Sequence, residues 1–207
     1  MGQPQQNGLL SLREHQISPR WRRASCAVLN IMKYYEEIKK AMSLLADHPK
    51  TMFIGQAVKY PGTGMYDSLT HIPDEKKYEF PVVENLQMGV CTGLAMGGFL
   101  PICIYPRWNF LLGATDQIIN HLDAYPGMSN GEVVPKVIIR VAIGSVHPVD
   151  PQNQHKGDFT DAFRLMCKTI TVVRLTEAEQ IVPEYKQALR SSFSTILVES
   201  ADFCKTK

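Results

Sequence analysis

The chain has 207 residues, enough for one domain with a full hydrophobic core. Its 22 Lys and Arg residues against 20 Asp and Glu residues give a formal net charge of +2, which offers no electrostatic case for binding nucleic acid or an anionic membrane. No apolar run approaches the roughly 20 residues of a membrane-spanning helix.

The first 31 residues differ in character from the rest. They hold four arginines, one acidic residue and no sustained apolar period. We interpret them as a disordered or non-native extension, so that the folded domain spans residues 32–207 and the protein is cytoplasmic. The alternative is a mitochondrial presequence, which is typically rich in Arg and poor in acids, and which would direct the protein to the matrix.

From residue 32 onward, apolar runs alternate with helical patterns. The predicted strands are 50–58, 78–83, 100–105, 135–143, 169–175 and 195–200. The predicted helices are 34–48, 86–98, 110–125, 159–168 and 177–192. This alternation predicts an α/β fold, with a doubly wound, mainly parallel six-stranded sheet and helices on both faces.

One acidic residue stands at a functional position of such a fold. Right-handed crossovers place ligands at the carboxyl ends of parallel strands. Glu84 directly follows the strand predicted at 78–83 and precedes a helix, and its surroundings in the sequence are apolar. Burying a carboxylate there is costly, so the position favours a chemical role. The alternative is an exposed glutamate that the helix dipole favours in a first turn.

Three glycines recur along the segment that follows this acid. Gly89, Gly93 and Gly97 have four-residue spacing, which places them in one smooth stripe on a helix. Glycine costs about 1 kcal/mol relative to alanine inside a helix, so a close contact must compensate. That contact is either packing within the domain or an interface with another subunit. Nucleotide-binding, serine-hydrolase and zincin motifs are absent from the sequence.

Several features occur in a recognisable order. They are Glu84, the glycine helix, Pro101, the stretch Tyr105–Trp108, the pair Asp116 and Gln117, and finally His155 within "QHKGDF". This succession resembles the pyrimidine-binding domain of thiamine-diphosphate-dependent enzymes. It is most similar to the β subunit of 2-oxoacid dehydrogenase E1 components and to the central domain of transketolases. The resemblance runs from about residue 32 to residue 199.

The resemblance implies roles for individual residues. Glu84 would hydrogen-bond a ring nitrogen of the cofactor's aminopyrimidine and exchange a proton with it. Trp108 would stack on that ring and Tyr105 would line its pocket, although both could instead be core aromatics. Gln56, at the end of the first strand, is a further candidate for cofactor binding.

A histidine is expected to face the substrate. The resemblance implies that His155 acts as an acid, a base or a hydrogen-bond donor to a carbonyl group. His147 lies at the other end of the same Pro-, Asn- and Gln-rich loop and is the weaker candidate. Either residue could simply be a solvated loop histidine.

The departures from the family pattern imply a half-site. The chain has no GDG…N arrangement of the kind that binds the diphosphate through Mg²⁺, and it ends eight residues after Glu199, where relatives carry a C-terminal domain. The resemblance therefore implies an α-like partner subunit that binds the diphosphate and Mg²⁺. No metal ligand is expected in this chain. The glycine helix would form a homodimer contact within a heterotetramer.

Three functions stay open at this point. The first is a β-like subunit for decarboxylation of a 2-oxo acid and acyl transfer. The second is a split transketolase that transfers a ketol group, for which Arg107, Arg140 and Lys156 are the candidate anion-binding residues. The third is a non-catalytic regulatory or scaffold subunit of such a complex.

Overall fold

The sheet has the predicted class and strand number. The computed structural model describes residues 19–144, 150–152 and 154–203. Within them, the strands are β1 Thr51–Gly55, β2 Lys77–Glu79, β3 Leu100–Tyr105, β4 Ile138–Ile143, β5 Thr171–Arg174 and β6 Thr195–Ser200. They form one six-stranded sheet in the order β2-β1-β3-β4-β6-β5, with every neighbouring pair parallel. The predicted α/β fold is thus confirmed, and all five pairings, not merely most of them, are parallel.

Helices connect the strands, and the first of them begins earlier than predicted. The α-helices are α1 Pro19–Ala46, α2 Gly64–Asp67, α3 Glu84–Met96, α4 Trp108–Leu111, α5 Tyr125–Met128, α6 Thr160–Met166 and α7 Ala178–Arg190. Because α1 begins at Pro19, residues 19–31 are helical, whereas the sequence favoured a disordered or non-native extension up to residue 31. Residues 1–18 lie outside the described part of the chain. Within the described part, no helix is long and apolar enough to cross a membrane.

Both faces of the sheet are covered. Successive side chains of a strand point to opposite faces, so β3 contributes Ile102 and Ile104 to one core and Cys103 and Tyr105 to the other. Helices α1 and α7 pack over the first core, while α3, α4 and α6 pack over the second. This double burial explains why the central strands are continuous apolar runs rather than alternating ones.

A buried ion pair joins two strands of the sheet, and a tyrosine of α7 donates a hydrogen bond to it. Arg140 of β4 donates from Nε and Nη2 to the two carboxylate oxygens of Glu199 on β6, at 2.6 and 2.8 Å, and both side chains are fully buried. The hydroxyl of Tyr185 on α7 donates to the same carboxylate at 2.5 Å. Burial raises the pKa of Tyr185 well above its usual value, so this donor stays protonated. Arg140 is therefore part of the core.

The helix predicted at 110–125 is instead divided into short pieces. After α4 come a 3₁₀ turn at Leu112–Ala114 and a π-helical segment at Gln117–Leu122. The wider π turn ends at Asp123, whose carboxylate accepts the main-chain N–H groups of Lys168, Thr169 and Ile170 at 2.7–2.9 Å. Asp123 thereby fixes the chain that leads into β5.

We expect Asp123→Asn to lower the free energy of unfolding at pH 7 by about 3 kcal/mol, because charge-assisted hydrogen bonds to partly buried N–H groups are lost. Burial opposes ionisation of this carboxyl group, but the three N–H groups outweigh it and lower the pKa of Asp123 in the folded state. Its contribution is therefore present above the unfolded pKa of about 4 and is lost as the pH falls through the lower folded value.

Denaturant unfolding of the parent and the variant between pH 3 and pH 7 tests this expectation. The difference between the two proteins should shrink as the pH falls. A difference that stayed constant over this range would contradict the proposed charge dependence.

Candidate functional site

Glu84 is the first residue of α3, at the edge of the sheet where the parallel strands end. Strand β2 ends at Glu79, so residues 80–83 form a loop and do not continue the strand as the sequence predicted. The reason is local, since Pro81 has no N–H to donate to a strand ladder. The side chain of Glu84 is half-buried and lies in the first turn of a 13-residue helix, where the helix dipole favours a negative charge.

Three other elements converge on Glu84. Gln56, which follows β1, donates from Nε2 to Oε1 of Glu84 at 3.2 Å. Tyr105, the last residue of β3, donates from its hydroxyl to the main-chain oxygen of Glu84 at 3.0 Å. Gly113 lies beside the carboxylate, because a Cβ there would be 3.2 Å from Cβ and 3.6 Å from Oε2 of Glu84. A side chain at position 113 would therefore press against Glu84.

Gln56 is held in place by a second carboxylate. Glu79, at the end of β2, accepts the main-chain N–H groups of Ala57, Val58 and Lys59 at 2.6–2.9 Å. Ala57 has a φ of +59°, which an L-residue adopts only with external support. Glu79 supplies that support, so the buried Gln56 side chain keeps its direction towards Glu84.

The two predicted pocket aromatics lie in the core. Tyr105 is fully buried, and burial raises the pKa of its hydroxyl, which therefore remains a hydrogen-bond donor to Glu84. Trp108 is also fully buried, with its ring centroid 4.9 Å from that of Phe163 and 6.5 Å from that of Phe159. The prediction that Trp108 stacks on a ligand conflicts with this burial, because its side chain is enclosed by the domain's own aromatics.

Phe110 is a residue that the sequence interpretation missed. Its side chain is half-buried, and its ring centroid lies 4.8 Å from that of His155. Phe110 and Gly113 are three residues apart on the helical run that begins with α4, so they share a face, and Gly113 contacts Glu84. That spacing was the available signal. The helical run that begins with α4 therefore contacts the predicted acid at Gly113 and the predicted histidine at Phe110.

His155 packs its ring against that of Phe110. Its side chain is half-buried and its φ is +56°, and its buried Nδ1 has no hydrogen-bond partner among the described residues. The structure therefore places Glu84, Gln56 and His155 at the same edge of the sheet. Tyr105 lies buried under Glu84, to whose main-chain oxygen it donates. His147, the weaker candidate, lies outside the described residues.

The glycine stripe on α3 has two different environments. A Cβ at Gly89 would lie 3.3 Å from the side-chain oxygen of Gln117, so this glycine allows packing within the domain. Among the described residues, a Cβ at Gly93 would meet nothing within 4 Å, and one at Gly97 would meet only residues close by in the chain. The outer face of α3 is apolar and exposed, with Val83, Leu86 and Val90 between 37% and 53% accessible.

The candidate anion-binding residues have partners within the chain. Arg107 donates from Nη1 to the main-chain oxygens of Gly144 and His155. Lys156 pairs with Asp150 at 2.5 Å, and Arg140 pairs with Glu199 in the core. Within the described part of the chain, no group of three or more His, Cys, Asp or Glu side chains could hold a metal ion.

Curated relatives match part of the chain. The β subunit of the mitochondrial pyruvate dehydrogenase E1 component of Caenorhabditis elegans is 31% identical over 127 residues, which is 61% of this chain and 35% of the relative. The β subunit of 3-methyl-2-oxobutanoate dehydrogenase of Mycobacterium tuberculosis is 27% identical over 100 residues, or 48% of this chain and 28% of the relative. The chain thus spans about a third of the length of these relatives. No protein-family model matches it.

A solved structure has the same fold. A split-gene transketolase, described as an inactive β₄ tetramer, aligns with a TM-score of 0.60 and 18% identity, covering 82% of this chain and 50% of the other. At this identity the match supports the fold alone. The curated relatives confirm the predicted resemblance to β subunits of 2-oxoacid dehydrogenases, and the solved structure agrees with the predicted fold.

Proposed function

We propose that this chain is a β-like subunit that supplies the pyrimidine half of a thiamine-diphosphate site for the decarboxylation of a 2-oxo acid and transfer of the acyl group. The convergence of Gln56, Tyr105 and Gly113 on Glu84, at the carboxyl ends of β1 and β3, is the observation that carries the proposal. The E1 β subunits among the relatives support the choice of reaction.

The residues present fit an aminopyrimidine ring. Oε1 of Glu84 accepts a hydrogen bond from Gln56, which leaves Oε2, beside the Cβ-free Gly113, to meet a ring nitrogen. Phe110 offers a half-buried aromatic side chain on the same helical face as Gly113, whereas Trp108 is fully buried in the core. We therefore assign the ring contact to Phe110, in place of the stacking role predicted for Trp108.

Each side chain at this edge of the sheet has a separate role in the proposed reaction. Thiamine diphosphate, when bound, supplies the electron sink for breaking a carbon–carbon bond beside a carbonyl group. Glu84 holds or releases a proton at Oε2, and Gln56 fixes the orientation of its carboxylate. Tyr105 fixes the start of α3, and His155 presents its imidazole to the substrate.

The site is proposed to be completed by another subunit. Val82 and Val83, immediately before Glu84, and Leu86, two residues after it, are 73%, 46% and 53% exposed. Apolar side chains in this number around a functional acid favour coverage by a second chain. We propose an α-like subunit that binds the diphosphate and Mg²⁺, and a homodimer contact through α3 at Gly93 within a heterotetramer. Gly89 serves packing inside the domain.

Two alternatives have weaker support. Transfer of a ketol group, as in a split transketolase, would require basic side chains for a sugar phosphate, and Arg107, Arg140 and Lys156 already contact groups of this chain. A scaffold subunit without catalysis has no need for a half-buried acid that is oriented by Gln56. For location, the cytoplasm stays our proposal, and the mitochondrial relatives and the Arg-rich start support the matrix as the alternative.

We expect the isolated chain to bind thiamine diphosphate weakly, because only the pyrimidine half of the site is present. Isothermal titration calorimetry with thiamine diphosphate, in the presence of Mg²⁺, measures this. The dissociation constant of thiamine diphosphate should be at least 100-fold higher for the chain alone than for the complex with its co-purified partner. The gain reflects the added diphosphate and metal contacts, worth about 3 kcal/mol or more at that ratio. Equal affinity of the chain alone and the complex would contradict the half-site.

A further inference from the structure

The loop that carries His155 is held by two side chains from the start of α4. Arg107 donates from Nη1 to the main-chain oxygen of His155 at 3.2 Å. Asn109 accepts the main-chain N–H of Gly157 on its Oδ1 at 3.1 Å. These two hydrogen bonds fix the main chain on both sides of Lys156, directly after the histidine.

Arg107 also ties this loop to the sheet. The same Nη1 donates to the main-chain oxygen of Gly144, the residue after β4, at 3.3 Å. Arg107 itself follows the end of β3 and is the N-cap residue of α4. The guanidinium group of Arg107 therefore connects the ends of two central strands to the histidine loop.

The histidine depends on this external support. Its φ of +56° is unfavourable for a residue with a Cβ and persists only where the surroundings impose it. Its buried Nδ1 accepts or donates no hydrogen bond within the part of the chain that the structure describes, so no described partner orients the ring at that atom. The ring contact with Phe110 orients the imidazole only while the main chain stays in place.

A close steric fit at the next glycine adds to this dependence. A Cβ at Gly157 would overlap the ring of Phe159, which in turn packs against Trp108. The loop thus lies directly on the aromatic core, and the Asn109 hydrogen bond keeps it there. A shift of the loop would move the imidazole relative to Phe110 and Glu84.

We infer that Arg107 and Asn109 are positioning residues, which hold the imidazole of His155 against Phe110 so that it meets the substrate carbonyl. This inference rests on the proposed function for the identity of the substrate, but the positioning itself can be measured on the full chain without cofactor. Neither residue is required to touch the substrate.

The first test is NMR of the full-length chain. In the parent protein, the ring current of Phe110 should shift the His155 ring signals, and the Gly157 amide should be protected from hydrogen exchange. Arg107→Ala and Asn109→Leu should move the His155 signals towards those of a free histidine and reduce Gly157 protection at least tenfold. Asn109→Asp keeps an acceptor oxygen, so its His155 signals and its Gly157 protection should be close to those of the parent. Arg164→Ala is the matched control, because Arg164 also donates to a main-chain oxygen, that of Val172 at 3.1 Å.

The second test is turnover of a 2-oxo acid by the complex with the co-purified partner. Displacing an acid–base group by about 1 Å can cost about 100-fold in rate, so kcat should fall 10- to 100-fold in Arg107→Ala while KM changes less than threefold. Asn109→Asp should recover most of the activity that Asn109→Leu loses.

The outcomes distinguish failure of the positioning role from failure of the proposed function. Unchanged His155 signals and Gly157 protection in both Arg107→Ala and Asn109→Leu would overturn the positioning role, whatever the activity. Shifted signals with an unchanged kcat would also overturn it, since the imidazole would then not need its position. A complex that turns over no 2-oxo acid would refute the proposed function, and the NMR result would still decide whether the loop is held as inferred.

Discussion

Replacing Glu84 with glutamine is expected to lower kcat of the assembled complex by about 100- to 1,000-fold, the range typical for loss of a positioned acid–base group. Glutamine has nearly the same shape and keeps an oxygen that can accept the hydrogen bond from Gln56, which is 3.2 Å long in the parent. It cannot exchange a proton with a ring nitrogen. Assembly with the partner, measured by size-exclusion chromatography, should be unchanged.

The control for this variant is Glu179→Gln. Glu179 also lies in the first turn of a 13-residue helix, α7, so the substitution removes a comparable helix-dipole interaction. Its carboxylate is exposed and pairs with Lys33, far along the chain from the residues around Glu84. Turnover should stay at the parent level. If Glu84→Gln were as active as this control, the non-catalytic scaffold would become the better explanation of the fold.

The second large effect is expected in stability. Gly55→Ala should lower the free energy of unfolding by about 3–5 kcal/mol, as the sum of backbone strain and overpacking. Gly55 has a φ of +151°, which is essentially restricted to glycine. An added Cβ would overlap the main-chain oxygen of Ile104 and lie 2.9 Å from its carbonyl carbon, on the neighbouring central strand.

Denaturant unfolding at pH 7 measures this change, with Gly127→Ala as the control. Gly127 lies in α5, and a Cβ there would meet no described atom within 4 Å, so alanine should be neutral or slightly stabilising. Because Gln56 follows Gly55 directly, thiamine-diphosphate affinity of the complex should also fall in Gly55→Ala. A stability loss below 1 kcal/mol would show that β1 can separate from β3 at little cost.

The position of the catalytic candidate was predictable because it depends on order along the chain. A strand, an acid and a glycine helix in succession place Glu84 at the carboxyl end of a parallel sheet in any fold of this class. Gln56 was found for the same reason, since it directly follows β1. The hydrogen bond between these two side chains agrees with that placement.

The choice of aromatic side chain was not predictable in this way. Trp108 and Phe110 are two residues apart, and two residues on a short helical run face different directions. The resemblance implied Trp108, but Phe163 and Phe159 pack against Trp108, and the half-buried Phe110 contacts His155. Only the packing of α6 on α4 decides which ring remains accessible.

The sequence by itself determined the α/β class, the six strands, the acid at a strand end and the resemblance to E1 β subunits. These follow from apolar periodicity and residue order, which are local properties. The tertiary structure alone decided that Arg107 and Asn109 hold the histidine loop, that Arg140 lies in the core and that Gly89 and Gly93 face different surroundings. The physical reason is that each of these depends on contacts between residues distant in sequence, which form only when the sheet and its helices pack together.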